Sequence, residues 1–262
     1  MRGDILKKKL MVLCAVAIMI STCLTGCKMN SGKIRFGSAG IGGTYQIFGD
    51  TFANLISSKS KKYNIEVKTT AGSAANLRLL SKDYIQMAVA QMDLINDAYN
   101  RTGIFENDKK YQGYRAVASL YTEACQIVVP ADSDIQSMDD LEGKKVCIGE
   151  EESGTEQNAL QILNAYGLNE RLVDTVNLNY TDAAKKLKSG DIDAFFCTAG
   201  VQTTVINELS KQCKIRLVSL DQKGVSRLKK SYKFYTEYTI PAGTYVNQTK
   251  KIKTVCVKAV LL

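Results

Sequence analysis

Three short stretches hold the residues best suited to meet a small molecule. The first is Gly37-Ser38-Ala39-Gly40-Ile41-Gly42-Gly43-Thr44-Tyr45, the second Thr70-Ala71-Gly72-Ser73-Ala74-Ala75-Asn76, and the third Glu150-Glu151-Glu152-Ser153-Gly154-Thr155-Glu156. Each joins a strand-like run to a helix-like one. Glycine lets the backbone approach a ligand closely, and the first N–H groups of a helix have no partner within it. Those amides, with hydroxyls beside them, favour an anion, each charge–dipole contact contributing about 0.3–1 kcal/mol. None of the three is a Walker phosphate loop, and Tyr45 stands where a dinucleotide fingerprint needs its third glycine. Taken singly, each turn reads as a helix cap, as Ser73 would supply. Three of them at the carboxyl ends of strands point to a ligand, because open α/β sheets bind at that edge.

The candidate binding residues follow from those turns. They are Gly42, Gly43, Thr44 and Tyr45 in the first, Ser73 and Asn76 in the second, and Ser153, Gly154 and Thr155 in the third. Gln91, just past the strand end Val89-Ala90, and Thr198 join them. Tyr45 reads equally as a ligand contact or as packing on its helix, and Gln91 as a cleft amide or a surface turn. Glu150, Glu151 and Glu152 are expected to face solvent, since three consecutive side chains cannot all enter one cleft. Arg78 lies beyond the first turn of its helix, so it is expected to pair with a surface acid rather than clamp a carboxylate.

Composition removes most catalytic alternatives. The chain has 262 residues and no histidine, which excludes Ser-His-Asp and Cys-His nucleophilic centres and leaves zinc only thiolates and carboxylates. With no paired acids at convincing positions and no activated nucleophile, an enzyme on this frame is the weaker alternative, and neither metal nor cofactor is expected. At 45% hydrophobic and 23% charged residues, global disorder and a many-span membrane protein are both excluded. The lysines fall in scattered clusters, such as Lys185/Lys186/Lys188 and Lys229/Lys230/Lys233, and no basic stripe with interleaved aromatics marks nucleic-acid binding.

The N-terminus reads as an address. Arg2 and Lys7–Lys9 precede the apolar run Leu10–Ile20, too short to span a bilayer, and Leu24-Thr25-Gly26-Cys27 then resembles a bacterial lipobox. A lipidated Cys27 would begin the mature chain, with residues 28–33 as a polar tether and the protein anchored outside the cytoplasmic membrane. Removing residues 1–26 takes away four basic groups and one acid, so the net charge falls from +9 to +6. Cys125, Cys147, Cys197, Cys213 and Cys256 remain, an odd number in mostly apolar contexts, which reads as buried small hydrophobes rather than a disulfide framework.

Strand and helix patterns alternate from residue 33 to 219, first over 33–122 and again over 123–219. That alternation predicts α/β layers with mainly parallel pairing, arranged as two lobes about a cleft. The lobes are expected over 34–122 and 123–219, with 220–262 returning to the first and hinge crossings near 122 and 219. Arg115–Leu120 and Cys125–Val129 read as two strands flanking Tyr121-Thr122-Glu123.

A family resemblance adds to this reading. Gly40-Ile41-Gly42-Gly43-Thr44-Tyr45, Gly72-Ser73-Ala74-Ala75-Asn76-Leu77-Arg78-Leu79-Leu80 and Ala90-Gln91-Met92-Asp93 resemble motifs of the TAXI solute receptors of TRAP transporters. Asp140–Val146, Ser153-Gly154-Thr155-Glu156, Gly190–Phe196 and Ile240–Tyr245 continue the match in family order across nearly all of 34–262. The resemblance implies a type II periplasmic-binding-protein fold; a monomer is expected. It also implies a small organic anion of the glutamate or oxo-dicarboxylate kind, delivered to a fused TRAP membrane subunit. Family members continue into further helices where this chain stops in the apolar run Thr254–Leu262, so a truncated C-terminus is expected. A ligand-sensing surface protein without a transporter is the other reading the resemblance leaves open.

Overall fold

The computed structural model describes residues 32–262 apart from 110 and 112; the signal segment, Cys27 and nearly all of the tether lie outside the described residues. Among the described residues ten strands form one curled sheet: β1 Lys33–Gly37, β2 Asn64–Lys68, β3 Met87–Gln91, β4 Ala118–Pro130, β5 Lys145–Gly149, β6 Asp174–Asn177, β7 Ala194–Ala199, β8 Ile215–Leu217, β9 Thr236–Ile240 and β10 Ile252–Leu261. The main order is β2-β1-β3-β10-β4-β7-β5-β6, with β8 beside β4 and β9 beside β10.

One half of this sheet is β2-β1-β3, all parallel, with its own helices α1 Thr44–Lys59, α2 Ser73–Ser81 and α3 Met92–Asn100. Phe36 on β1 anchors α1, its ring centroid 6.1 Å from Phe48 and 6.0 Å from Phe52. Phe48 and Phe52 lie one helical turn apart, so both reach the same strand residue. The other half is β7-β5-β6, also parallel, with α4 Gly154–Ala165, α5 Tyr180–Ser189, α6 Thr204–Gln212 and α7 Gln222–Ser231. On β7 the run Ala-Phe-Phe-Cys-Thr-Ala is buried throughout. Phe195 enters one apolar cluster and Phe196 another, as expected of a strand covered on both faces.

Two antiparallel strands join the halves. The first, β4, pairs with β10 from Ala118 to Ala124 and with β7 from Ala124 to Val128. The second, β10, pairs with β3 at Ala259–Leu261 and with β9 at its other end. Three sequence expectations change here. The two strands read around Tyr121-Thr122-Glu123 are one strand of 13 residues, because this stretch must span both halves. The second crossing lies not near 219 but along β10, where the register shifts between Lys258 and Val260. Residues 222–231 pack on the second half, with Val225 and Leu228 against Ile162 and Leu163, so only the end of β10 reaches the first.

Helix α7 has no counterpart in the periodicity reading. Only Gly224, Val225 and Leu228 are buried in it, too thin an apolar stripe to stand out among its charged residues. Asp221 caps it through Gly224 N at 2.7 Å, and a Cβ at Gly224 would meet the Tyr166 ring at 2.0 Å. Cys125, Cys147, Cys197 and Cys256 are buried and Cys213 partly so, all five as free thiols.

Candidate functional site

The three turns of the sequence converge between the halves. They bound a cavity lined from one side by Ala39, Gly40, Thr44, Tyr45, Gly72, Ser73 and Gln91. From the other side come Glu150, Ser153, Gly154, Thr155, Tyr180 and Thr198, with Glu123 of the crossing strand β4 between them. Hydrogen bonds bridge the halves directly. Ala74 N and Ala75 N both donate to Glu152 O, at 3.1 and 3.2 Å. Nearby, Thr181 Oγ1 donates to Ile41 O at 3.1 Å and Thr203 Oγ1 to Gly42 O at 3.2 Å. The cleft is therefore closed.

Eight of the eleven predicted binding residues line the cavity: Thr44, Tyr45, Ser73, Gln91, Ser153, Gly154, Thr155 and Thr198. Gly42, Gly43 and Asn76 do not. Gly42 meets the second half through its carbonyl, and a Cβ at Gly43 would touch the Tyr180 ring at 3.2 Å. Asn76 is fully buried and spent on the turn itself: its Nδ2 donates to Ser38 O at 2.7 Å and Val89 O at 2.9 Å, while Oδ1 accepts from Thr70 Oγ1 at 2.8 Å. A side chain with both functions satisfied holds the loop in shape and has nothing left for a ligand.

The helix starts differ from expectation as well. The α2 amides are taken, since Ala74 N and Ala75 N end on Glu152 O. Ser73 Oγ accepts from Gln91 N at 3.1 Å, tying α2 to the end of β3. At α4, Ser153 Oγ caps Glu156 N at 3.0 Å, and Glu156 Oε2 returns to Glu152 N at 2.9 Å. The α1 start, at Gly43, has no side-chain cap. Two helix starts, α1 and α4, thus remain aimed at the cavity. Arg78 pairs with Asp108 and Glu152 and lies over the Phe105 ring, outside the cavity.

Two acids were not anticipated in the site. Glu123 is 1% exposed and its Oε2 accepts from Tyr45 OH at 2.7 Å. Burial pushes its carboxyl up to about 8, Asp93 adding to the rise and the Tyr45 hydrogen bond opposing it. Glu150, expected in solvent, lines the cavity with its carboxyl turned toward Gly40, and burial raises its pKa too. Asp93, at the start of α3, is buried and pushed up to about 6, Asn158 Nδ2 donating to it at 3.1 Å. Glu123 had a readable signal: it alternates with Tyr121, Cys125, Ile127 and Val129 on a strand face that is otherwise apolar. Glu150 had none, because three equivalent acids stand together.

These buried acids set a pH dependence. An acid whose folded pKa is raised binds its proton more tightly folded than unfolded, so the stability it contributes is present below the unfolded pKa and lost as pH rises through the folded one. For Glu123 that window runs from the ordinary 4.5 to about 8. The melting temperature is expected to fall across it, at about 1.4 kcal/mol per pKa unit, and Glu123→Gln to flatten the fall. Thermal melts of both proteins across the window check this; parallel curves would refute it.

Residues 36–262 match the family model described as the NMT1-like family. The chain belongs to the NMT1-like family. Among solved structures, the ligand-binding core of GluR0 in complex with L-glutamate aligns with TM-score 0.50 and 11% identity, over 88% of this chain and 85% of that one. A putative L-cystine ABC transporter protein from Listeria monocytogenes gives 0.50 and 15%, over 86% and 82%. The alkanesulfonate-binding protein SsuA of Xanthomonas axonopodis pv. citri, bound to MOPS, gives 0.49 and 17%, over 72% of this chain. The chain spans 60% of the length of that SsuA and 65% of the one from Escherichia coli. This NMT1-like chain has the mixed α/β fold of periplasmic binding proteins.

Proposed function

We propose that this NMT1-like protein is a non-enzymatic solute receptor whose two halves act as lobes that close on a small carboxylate-bearing molecule. The observation that carries the reading is the cavity itself, lined from both halves and bridged by hydrogen bonds between them. Among the described residues only β4 and β10 join the halves, and a break in pairing on β10 is a natural place for a hinge to bend. The carboxylate would rest at the α1 and α4 starts, beside Thr44, Gly154 and Thr155.

The lipobox at Cys27 and the motif resemblance extend the proposal: a lipoprotein held at the outer face of the cytoplasmic membrane, handing its solute to a TRAP-type membrane subunit. A solute that binds should shift the chain from open to closed forms, and solution scattering should record a smaller radius of gyration when it is added. A panel of dicarboxylates, oxo acids, amino acids and neutral sugars tests this. Contraction with a carboxylate supports the reading, and contraction with a sugar alone defeats the carboxylate assignment.

A further inference from the structure

One acceptor of the cavity is built without a matching donor. Gln91 is 2% exposed and lines the cavity, yet its Oε1 has no hydrogen-bond partner. The carboxyls of Glu123 and Glu150 line the same space, and no lysine or arginine is among the lining residues. A buried acceptor left unpaired costs about 1–3 kcal/mol, so an unfilled Gln91 oxygen marks a place where a donor belongs. A solute carrying only acceptors would leave the Gln91 oxygen unpaired and would meet the Glu150 carboxyl there.

The geometry points to an ammonium subsite: the –NH3+ of the solute is held by the Glu123 carboxylate and Gln91 Oε1, with Glu150 adding negative charge. This rests on the receptor reading above and narrows it to solutes that carry an ammonium as well as a carboxylate, such as α-amino acids. Three N–H donors on one nitrogen can serve several acceptors at once, and charge-assisted bonds to a carboxylate are the stronger kind.

Proton release accompanies capture. Facing Glu123 are Tyr45 from α1, Asp93 from α3, Tyr180 from α5, Cys197 from β7, and Tyr121 and Cys125 from β4 itself. None is a cation. The nearby Lys258 of β10 reaches Thr122 Oγ1 on the exposed side of the sheet. The empty site therefore keeps Glu123 protonated at neutral pH. When the ammonium enters, the Glu123 O–H bond breaks, its electron pair stays on the carboxylate facing the –NH3+, and one proton leaves to buffer.

Calorimetric titration of the purified chain at neutral pH, in two buffers of different ionisation enthalpy, tests this. The probes are L-glutamate, L-glutamine and L-alanine, set against 2-oxoglutarate, 2-hydroxyglutarate and pyruvate. An amino acid should bind at least about tenfold more tightly than its deaminated counterpart, with release of most of one proton. Glu123→Gln should lose the release and most of the preference, while Glu150→Gln weakens binding yet keeps the release. Equal affinity for an oxo acid, or amino-acid binding with no buffer dependence, overturns the ammonium subsite and leaves the receptor standing. No binding of any amino acid overturns it too, and scattering with the wider panel then decides the receptor reading separately. Should Glu123→Gln not fold by circular dichroism, the contrast between amino and oxo acids in the unaltered chain is decisive alone.

Discussion

Gly154→Val should abolish tight solute binding while leaving a folded protein. A Cβ at Gly154 would fall 2.3 Å from Gln91 Oε1 and 2.4 Å from its Cδ, far inside contact distance. The atoms met are the far end of the Gln91 side chain, which is 2% exposed and has to leave its place in the cavity wall to make room. Opposite stands Gly72, at φ 129°, where an L residue is itself strained, and whose Cβ would lie 3.5 Å from Ser153. Two glycines face each other because two backbones from different halves must come together when the cleft shuts. Valine at 154 wedges that contact open, and losing it should cost at least about a hundredfold in affinity, roughly 2.7 kcal/mol. Titration with the solute that contracts the unaltered chain measures the loss. Scattering should show the variant failing to contract, while its melting temperature moves only a few degrees. Unaltered affinity would mean that the closed arrangement is not the one that binds.

Phe195→Ala should produce the largest loss of stability. Phe195 is fully buried on β7 among Leu187, Ile192, Val205, Ile206 and Leu209, contributed by α5, α6 and the approach to β7. Truncating a core phenylalanine costs roughly 3–5 kcal/mol, transfer and cavity terms together. In a chain of this size that lowers the melting temperature by roughly 10 °C or more. Phe234→Ala is the matched comparison. That ring is 40% exposed, and its removal should cost well under half as much. Similar losses for the two would show that the second half tolerates a cavity at Phe195. Because β7 carries Thr198 and Ala199 into the cavity, the same strand supports core and site. Partial unfolding of the second half should therefore remove binding before the first half melts.

Much of this architecture is legible along the chain. Alternating strands and helices, with small-residue turns between them, set the α/β class, and glycine, serine and threonine at strand ends mark the three turns. Those features are local: apolar periodicity decides helix or strand, and glycine marks where the backbone must turn sharply or be approached closely. Eight of the eleven residues singled out on that basis line one cavity.

What distance along the chain conceals is partnership. Asn76 carries the same amide group as Gln91. Yet Asn76 is exhausted by three backbone carbonyls and Thr70, while Gln91 keeps an oxygen free. The amides at the start of α2 read as available until Glu152, nearly eighty positions on, brings its carbonyl across the cleft to accept from them. Glu123 reads as a polar break between two strands; only as the middle of β4, at the crossing of the two halves, does it become a buried carboxyl against Tyr45. The sequence by itself determined which backbone segments could form strands, helices and tight turns, since those depend on neighbours within a few residues. The tertiary structure alone decided which polar groups are spent on the fold and which face the cavity, because hydrogen-bond satisfaction and desolvation depend on groups brought together from opposite halves of the sheet.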